Sequence, residues 1–100
     1  MKKHGNSLKN QDLHHLYQIN DDEEKDIFKY GISSDELLAD GSSSRANKQV
    51  KLYNLVANKQ KFSAEVLLKD IEGREKALEI EQNHISEYEK KNGRKPRGNL

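Results

Sequence analysis

Glu81 is the residue whose type and position most call for a chemical explanation. At 100° per residue along segment 74–92, Ala77, Leu78, Glu81, Ile85 and Tyr88 fall within one arc of about 100°, and Arg74 lies inside it. Glu75, Lys76, Glu79, Gln82, Asn83, Ser86 and Lys90 take the opposite side. A carboxylate centred on an apolar stripe loses hydration, which is unfavourable unless a cation or hydrogen-bond donors compensate. Two readings stand open: a structural salt bridge to Arg74 or Arg45, or a metal ligand or catalytic carboxylate at the floor of a cleft. His84 sits at the edge of the same arc, where a lone histidine is more often a core-border residue than a ligand. Arg45 and Gln49 are the second anomaly. They fall between the apolar stripe Ala46, Val50, Tyr53, Ala57 and its neighbour Leu52, Val56. A guanidinium held along the surface offers a planar fork suited to phosphate, and the competing reading is a helix-end arginine that only caps or pairs.

Several chemistries are excluded. There is no cysteine, hence no disulfide, thiolate zinc site or cysteine nucleophile. No Gly-x-Ser-x-Gly turn, glycine-rich phosphate loop or His-Glu-x-x-His pair occurs. His14 and His15 are adjacent, so on a strand their rings face opposite ways and cannot share a metal.

The elements that must position these residues follow from pattern. Residues 1–12 are polar and aperiodic and read as a flexible arm, leaving 13–100 as the folded unit. Leu13–Ile19 and Ile27–Ile32 have the apolar and aromatic bulk of strands, and the charged turn between them predicts an antiparallel hairpin. Ser33–Ser44 reads as a loop whose serines offer N-caps to a helix over Arg45–Asn58. Phe62–Leu68 predicts a third strand. Gly73 opens a last helix that Gly93 stops near Asn92. The order predicts an α+β fold, a small and mostly antiparallel three-stranded sheet flanked by helices.

Length and charge bound the rest. One hundred residues, with 32% hydrophobic and 35% charged, allow one modest core. No long apolar run follows Met1-Lys2-Lys3, so neither a conventional secretory signal nor a membrane span is expected. The net charge of +1 hides segregation: 20–40 carries −6, 41–64 carries +5, 65–88 carries −4 and 89–100 carries +4. Two basic blocks could fold onto one face and hold a polyanion, or the charges could simply be solvated surface.

The layout resembles the GIY-YIG nuclease domain. His15-Leu16-Tyr17 stands where that family has Gly-Ile-Tyr, and Lys29-Tyr30-Gly31-Ile32-Ser33 looks like the Lys-x-Gly-x-Ser/Thr form of its second motif. Arg45 matches the helix arginine, Ala77-Leu78-Glu79-Ile80-Glu81 resembles the glutamate segment, and Asn99 stands for the late asparagine of many members. Gly and Ile of the first motif are missing, and Lys29 replaces the first residue of the second. The ending Gly93-Arg94-Lys95-Pro96-Arg97-Gly98-Asn99 resembles the terminus of nuclease toxin domains from bacterial polymorphic toxin systems.

The resemblance implies a metal-dependent nuclease cleaving DNA or RNA, as a bacterial toxin effector. Glu81 would hold one Mg²⁺-like ion, Tyr17 would help deprotonate the nucleophile, Arg45 would contact the scissile phosphate, and Lys29 would position groups or transfer a proton. Tyr30, Gln49, Lys48, Arg94, Arg97 and Asn99 are the expected substrate contacts. The partners implied are nucleic acid and a cognate immunity protein, with no membrane. The site of action would be cytoplasmic, with delivery as part of a secreted toxin. The alternatives are a catalytically silent nucleic-acid-binding module and a protein-interaction domain that docks through the acidic 20–40 segment.

Overall fold

The computed structural model describes residues 12–100. The flexible arm expected at the N-terminus therefore lies, except for Asp12, outside the described residues. Strand β1 (Leu13–Asp21) pairs antiparallel with β2 (Asp26–Ser33) on one side and with β3 (Phe62–Glu72) on the other, so the sheet order is β2-β1-β3. Helix α1 (Ser44–Ala57) and helix α2 (Arg74–Asn92) complete the α+β architecture, and a short 3₁₀ turn, Arg97–Asn99, follows.

Because side chains alternate across a strand, central β1 feeds two cores. Tyr17 and Ile19 pack with Ala46 and half-buried Val50 and Tyr53 of α1, together with Phe28 and Phe62. Leu16 packs on the other side with Ile71 and with Ala77 of α2, while Tyr30 joins Ile85 and Tyr88. The neighbouring apolar stripe of α1 stays in water, with Leu52 57% and Val56 79% exposed. Strand β3 runs four residues beyond the expected Leu68. Its Lys69, Asp70 and Glu72 look like loop residues, but β3 is an edge strand and only Ile71, opposite His14, must be buried there.

A bulge re-aims β2. Ile19 lies opposite Lys29 and Asn20 opposite Ile27, so Phe28 is the extra residue. Lys29 therefore shares a face with Ile19, and Gly31 shares it with Tyr17. Helix α1 begins at the N-cap Ser43, whose hydroxyl accepts the Ala46 N–H at 3.2 Å and lies 2.8 Å from His15 Nε2. Burial, the largest influence, lowers the His15 pKa against the opposing charge of Asp35, with His14 adding to the shift. A neutral ring can accept the Ser43 hydroxyl proton, which pins the first turn of α1 to β1. At the far end of α1, buried Asn54 accepts the N–H groups of Lys61 and Phe62 at 2.9 and 2.7 Å. That side-chain amide docks β3 onto the helix.

Candidate active site

The pinned first turn of α1 carries Arg45 two residues past its cap. The β2 bulge presents Lys29 beside Tyr17, and α2 turns Arg74, Leu78 and Glu81 toward them at i, i+4 and i+7. These residues, with Gly31 and the Ser33–Asp35 segment, line one cavity of about 430 Å³. The inner face of α2 is thus divided: Ala77, Ile85 and Tyr88 are core, whereas Leu78 and Glu81 are half-buried cavity wall. The sequence pattern placed all of these in one arc, and the fold separates them.

Glycine at 31 is needed for close approach. A Cβ there would lie 2.7 Å from Tyr17 Cε1 and nearer still to Cζ and Oη. The Tyr17 hydroxyl in turn donates to Gln49 Oε1 at 3.2 Å. Gly31→Ala is expected to displace the phenol and to lower stability by about 1–3 kcal/mol, the range for an overpacked site. Urea unfolding of Gly31→Ala, Tyr17→Leu and the double variant checks this: Tyr17→Leu should remove most of the alanine effect, and additive losses would place the strain elsewhere.

The charges in the cavity face one another without quenching. Among the described residues, no ion pair within 4 Å joins Glu81 to Lys29, Arg45 or Arg74. The salt bridge considered for Glu81 is therefore not formed. Desolvation is the largest influence on Glu81 and raises its pKa; the charges of Lys29 and Arg74 and a hydrogen bond with Gln82 only partly offset it. Burial also lowers the Lys29 pKa, assisted by Arg45 and opposed by Glu81. Burial raises the Tyr17 pKa, while the hydrogen bond and charge of Arg45 and the contact with Gln49 pull it down.

Against known proteins, a family model described as URI fold toxin 2 matches residues 7–93. The chain belongs to the URI fold toxin 2 family. No match was found among curated proteins, and none among solved structures. The chain is therefore a toxin domain, and no helix among its described residues is long and apolar enough to cross a membrane.

The remaining candidate residues of this toxin domain lie away from the cavity. Tyr30 is buried against Ile85 and Tyr88 on the α2 face, and Lys48 is exposed on α1. Arg94 and Arg97, expected to track phosphates, turn inward to acids: Arg94 pairs with Asp26 at 2.8 Å and Arg97 with buried Asp21 at 2.7 Å. Asn99 brackets β2, accepting the Tyr30 N–H and donating to the Tyr30 carbonyl, both at 2.9 Å. These three residues brace the β1–β2 hairpin that carries Lys29 and do not line the cavity itself. The roles of two contributors escaped the sequence reading. His15, which the sequence places in the first motif and excludes as a shared metal ligand, holds the N-cap Ser43. Arg74, which the sequence places in the Glu81 arc and as its possible salt-bridge partner, lines the cavity without pairing with Glu81.

A metal requirement can be tested against the donor set. Among the described residues no three His, Asp or Glu side chains converge on a metal position. Glu81 offers one carboxylate to the cavity, and Asp35 lies in its lining. That set suits a hard, Mg²⁺-like ion, which is satisfied by one or two carboxylates with water and phosphate oxygens, and does not suit zinc.

Proposed function

We propose that this toxin domain is a metal-dependent phosphodiesterase that cleaves DNA or RNA. One observation carries the reading: Tyr17, Lys29, Arg45 and Glu81, from four different elements, line one cavity where, among the described residues, the cations and the carboxylate form no ion pair. Partial burial of Lys29 and Glu81 without an ion pair is unfavourable, and a bound phosphate and cation would offset it.

Hydrolysis of a phosphodiester forms a bond from a water or hydroxyl oxygen to phosphorus and breaks the bond to the leaving sugar oxygen. One proton leaves the nucleophile and one reaches the leaving group. Arg45, at the cavity rim, donates to the non-bridging phosphate oxygens with the fork geometry that charge on phosphorus requires. The Tyr17 oxygen, whose hydroxyl donates to Gln49, would accept a hydrogen bond from the attacking water or hydroxyl and orient it, and the proton lost on attack would pass to solvent water. Lys29, with its pKa lowered, can give up a proton to the leaving oxygen. Glu81 would hold the divalent ion, which supplies neutralisation of charge on the phosphate oxygens. In a cell the substrate places the action in the cytoplasm, and a cognate immunity protein is the partner a toxin domain calls for.

The test is cleavage of single-stranded DNA, duplex DNA and RNA with Mg²⁺ or Mn²⁺ and with a chelator. Cleavage that needs the ion and is lost with the chelator is expected. Binding without cleavage under every ion would make this a nucleic-acid-binding module instead. Arg45→Lys refines the assignment. The charge remains but the fork is lost, so turnover should fall about tenfold or more while KM changes little. Equal turnover would show that diffuse positive charge suffices.

A further inference from the structure

We propose that Arg74 is the anchor of a second anion subsite in the cavity, taking an oxygen of a phosphate group through its Nε–H. This deepens the phosphodiesterase reading by giving the substrate a second phosphate contact besides Arg45.

The decisive atom is Nε of Arg74, which is buried and has no hydrogen-bond partner among the described residues. A guanidinium donates through every nitrogen and accepts through none, so only an acceptor atom can satisfy this N–H. Buried donors without acceptors are rare, and those to charged groups are the most unfavourable. The obvious acceptor, the Glu81 carboxylate one helical face along, is felt as a charge but forms no ion pair with Arg74. Arg74 lines the cavity, and its buried Nε lacks an acceptor among the described residues. The cavity lining holds Lys29, Arg45 and Arg74 against Glu81 and Asp35, so cations outnumber acids and the local charge favours an anion. The chemistry that fits is a tetrahedral oxyanion such as a phosphate of a nucleic-acid backbone, whose oxygens match a guanidinium fork. Position favours specificity for Arg74 over a general surface charge. It is the first residue of α2, one residue after Gly73, whose φ of +87° and lack of a side chain leave the start of the helix without a side-chain cap.

The experiment uses the full chain and two readouts. In the first, inorganic pyrophosphate is titrated while the unfolding temperature is followed. The wild type should be stabilised by pyrophosphate; in Arg74→Gln the apparent affinity should fall roughly tenfold or more, the loss expected for one charge-assisted contact. Arg74→Lys, which keeps the charge without Nε, should fall between the two and also serves if the glutamine variant does not fold. In the second, KM and turnover are measured on an oligonucleotide, and Arg74→Gln should raise KM. An equal pyrophosphate shift in wild type and both variants overturns the subsite. Loss of that shift in Arg74→Gln, with no cleavage of any nucleic acid by the wild type, would leave the subsite standing and remove the phosphodiesterase reading. Cleavage by the wild type with KM and pyrophosphate affinity unchanged in Arg74→Gln would do the reverse.

Discussion

Glu81→Gln is expected to lose cleavage by at least about a hundredfold, the effect of removing a preorganised electrostatic group at a phosphoryl centre, without losing the fold. Stability should stay level or rise. Burial acts on the Glu81 carboxyl more strongly than the attraction of Lys29 and Arg74, and its pKa is raised. An acid whose folded pKa exceeds its unfolded value opposes folding when ionised. That opposition is absent at low pH and appears as pH rises through the unfolded value toward the folded one. Glutamine removes it, a gain of up to about 1 kcal/mol after Lys29 and Arg74 lose their counter-charge. Turnover on one oligonucleotide and the urea midpoint at pH 7 measure both halves. A variant that unfolds early yet still cleaves would make Glu81 a structural residue.

The contrast between what could and could not be read from sequence is sharpest in the charges. Glu81 was visible because helical geometry is local: 100° per residue places a carboxylate on an apolar arc wherever the helix sits. Arg45 was visible for the same reason, wedged between two stripes of α1. Tyr17, Lys29 and Gly31 were visible through motif order, and the β1–β2 hairpin through its charged turn, but the central place of β1 in the order β2-β1-β3 was not. The destination of the charge blocks was not local. The basic 41–64 and 89–100 segments could equally meet a polyanion or the acidic 20–40 segment. The fold chooses the latter for several of them: Lys59 pairs with Glu23 at 2.7 Å, Lys61 with Asp21 at 3.4 Å, and Arg94 and Arg97 with Asp26 and Asp21. Pairing across tens of residues requires the hairpin, β3 and the tail to meet, which no periodicity encodes. Arg74 shows the converse. Its arc position was plain, but only the absence of an acceptor at Nε distinguishes a ligand donor from a salt-bridge partner.

Truncation after Asn92 is accordingly expected to destabilise the domain by about 3 kcal/mol or more, a large share of the stability of a chain this size. Asp21 is fully buried, with Arg97 at 2.7 Å, Lys61 at 3.4 Å and the Glu24 N–H at 3.0 Å. Breaking one partner of a buried carboxylate costs about 3–5 kcal/mol, less here because the Arg97 side chain is 40% exposed and Lys61 remains. Loss of the two Asn99 bonds to the Tyr30 backbone adds about 1 kcal/mol each and uncovers the β2 edge. The Arg94–Asp26 pair is more exposed and adds little. The pH dependence has a fixed sign. Burial pushes the Asp21 pKa up, but the Glu24 N–H, Arg97 and Lys61 together outweigh it and leave the value lowered. Stability from Asp21 is therefore present above the ordinary carboxylate range and lost as pH falls through the depressed value, so truncation should move acid unfolding to higher pH. Activity should fall as well, because Gly98 packs against Phe28 and Lys29, where even a Cβ would come within 2.9 Å of Lys29 Cβ. Urea midpoints and acid titrations of the full and truncated chains measure the first two effects. Salt titration of nucleic-acid binding separates the roles: with Arg94 and Arg97 engaged internally, the slope should change by less than their two phosphate contacts would give, about 0.7–0.9 each. An unchanged midpoint with a slope reduced by that full amount would make the tail a phosphate-tracking arm and leave its contacts with Asp21 and Asp26 incidental.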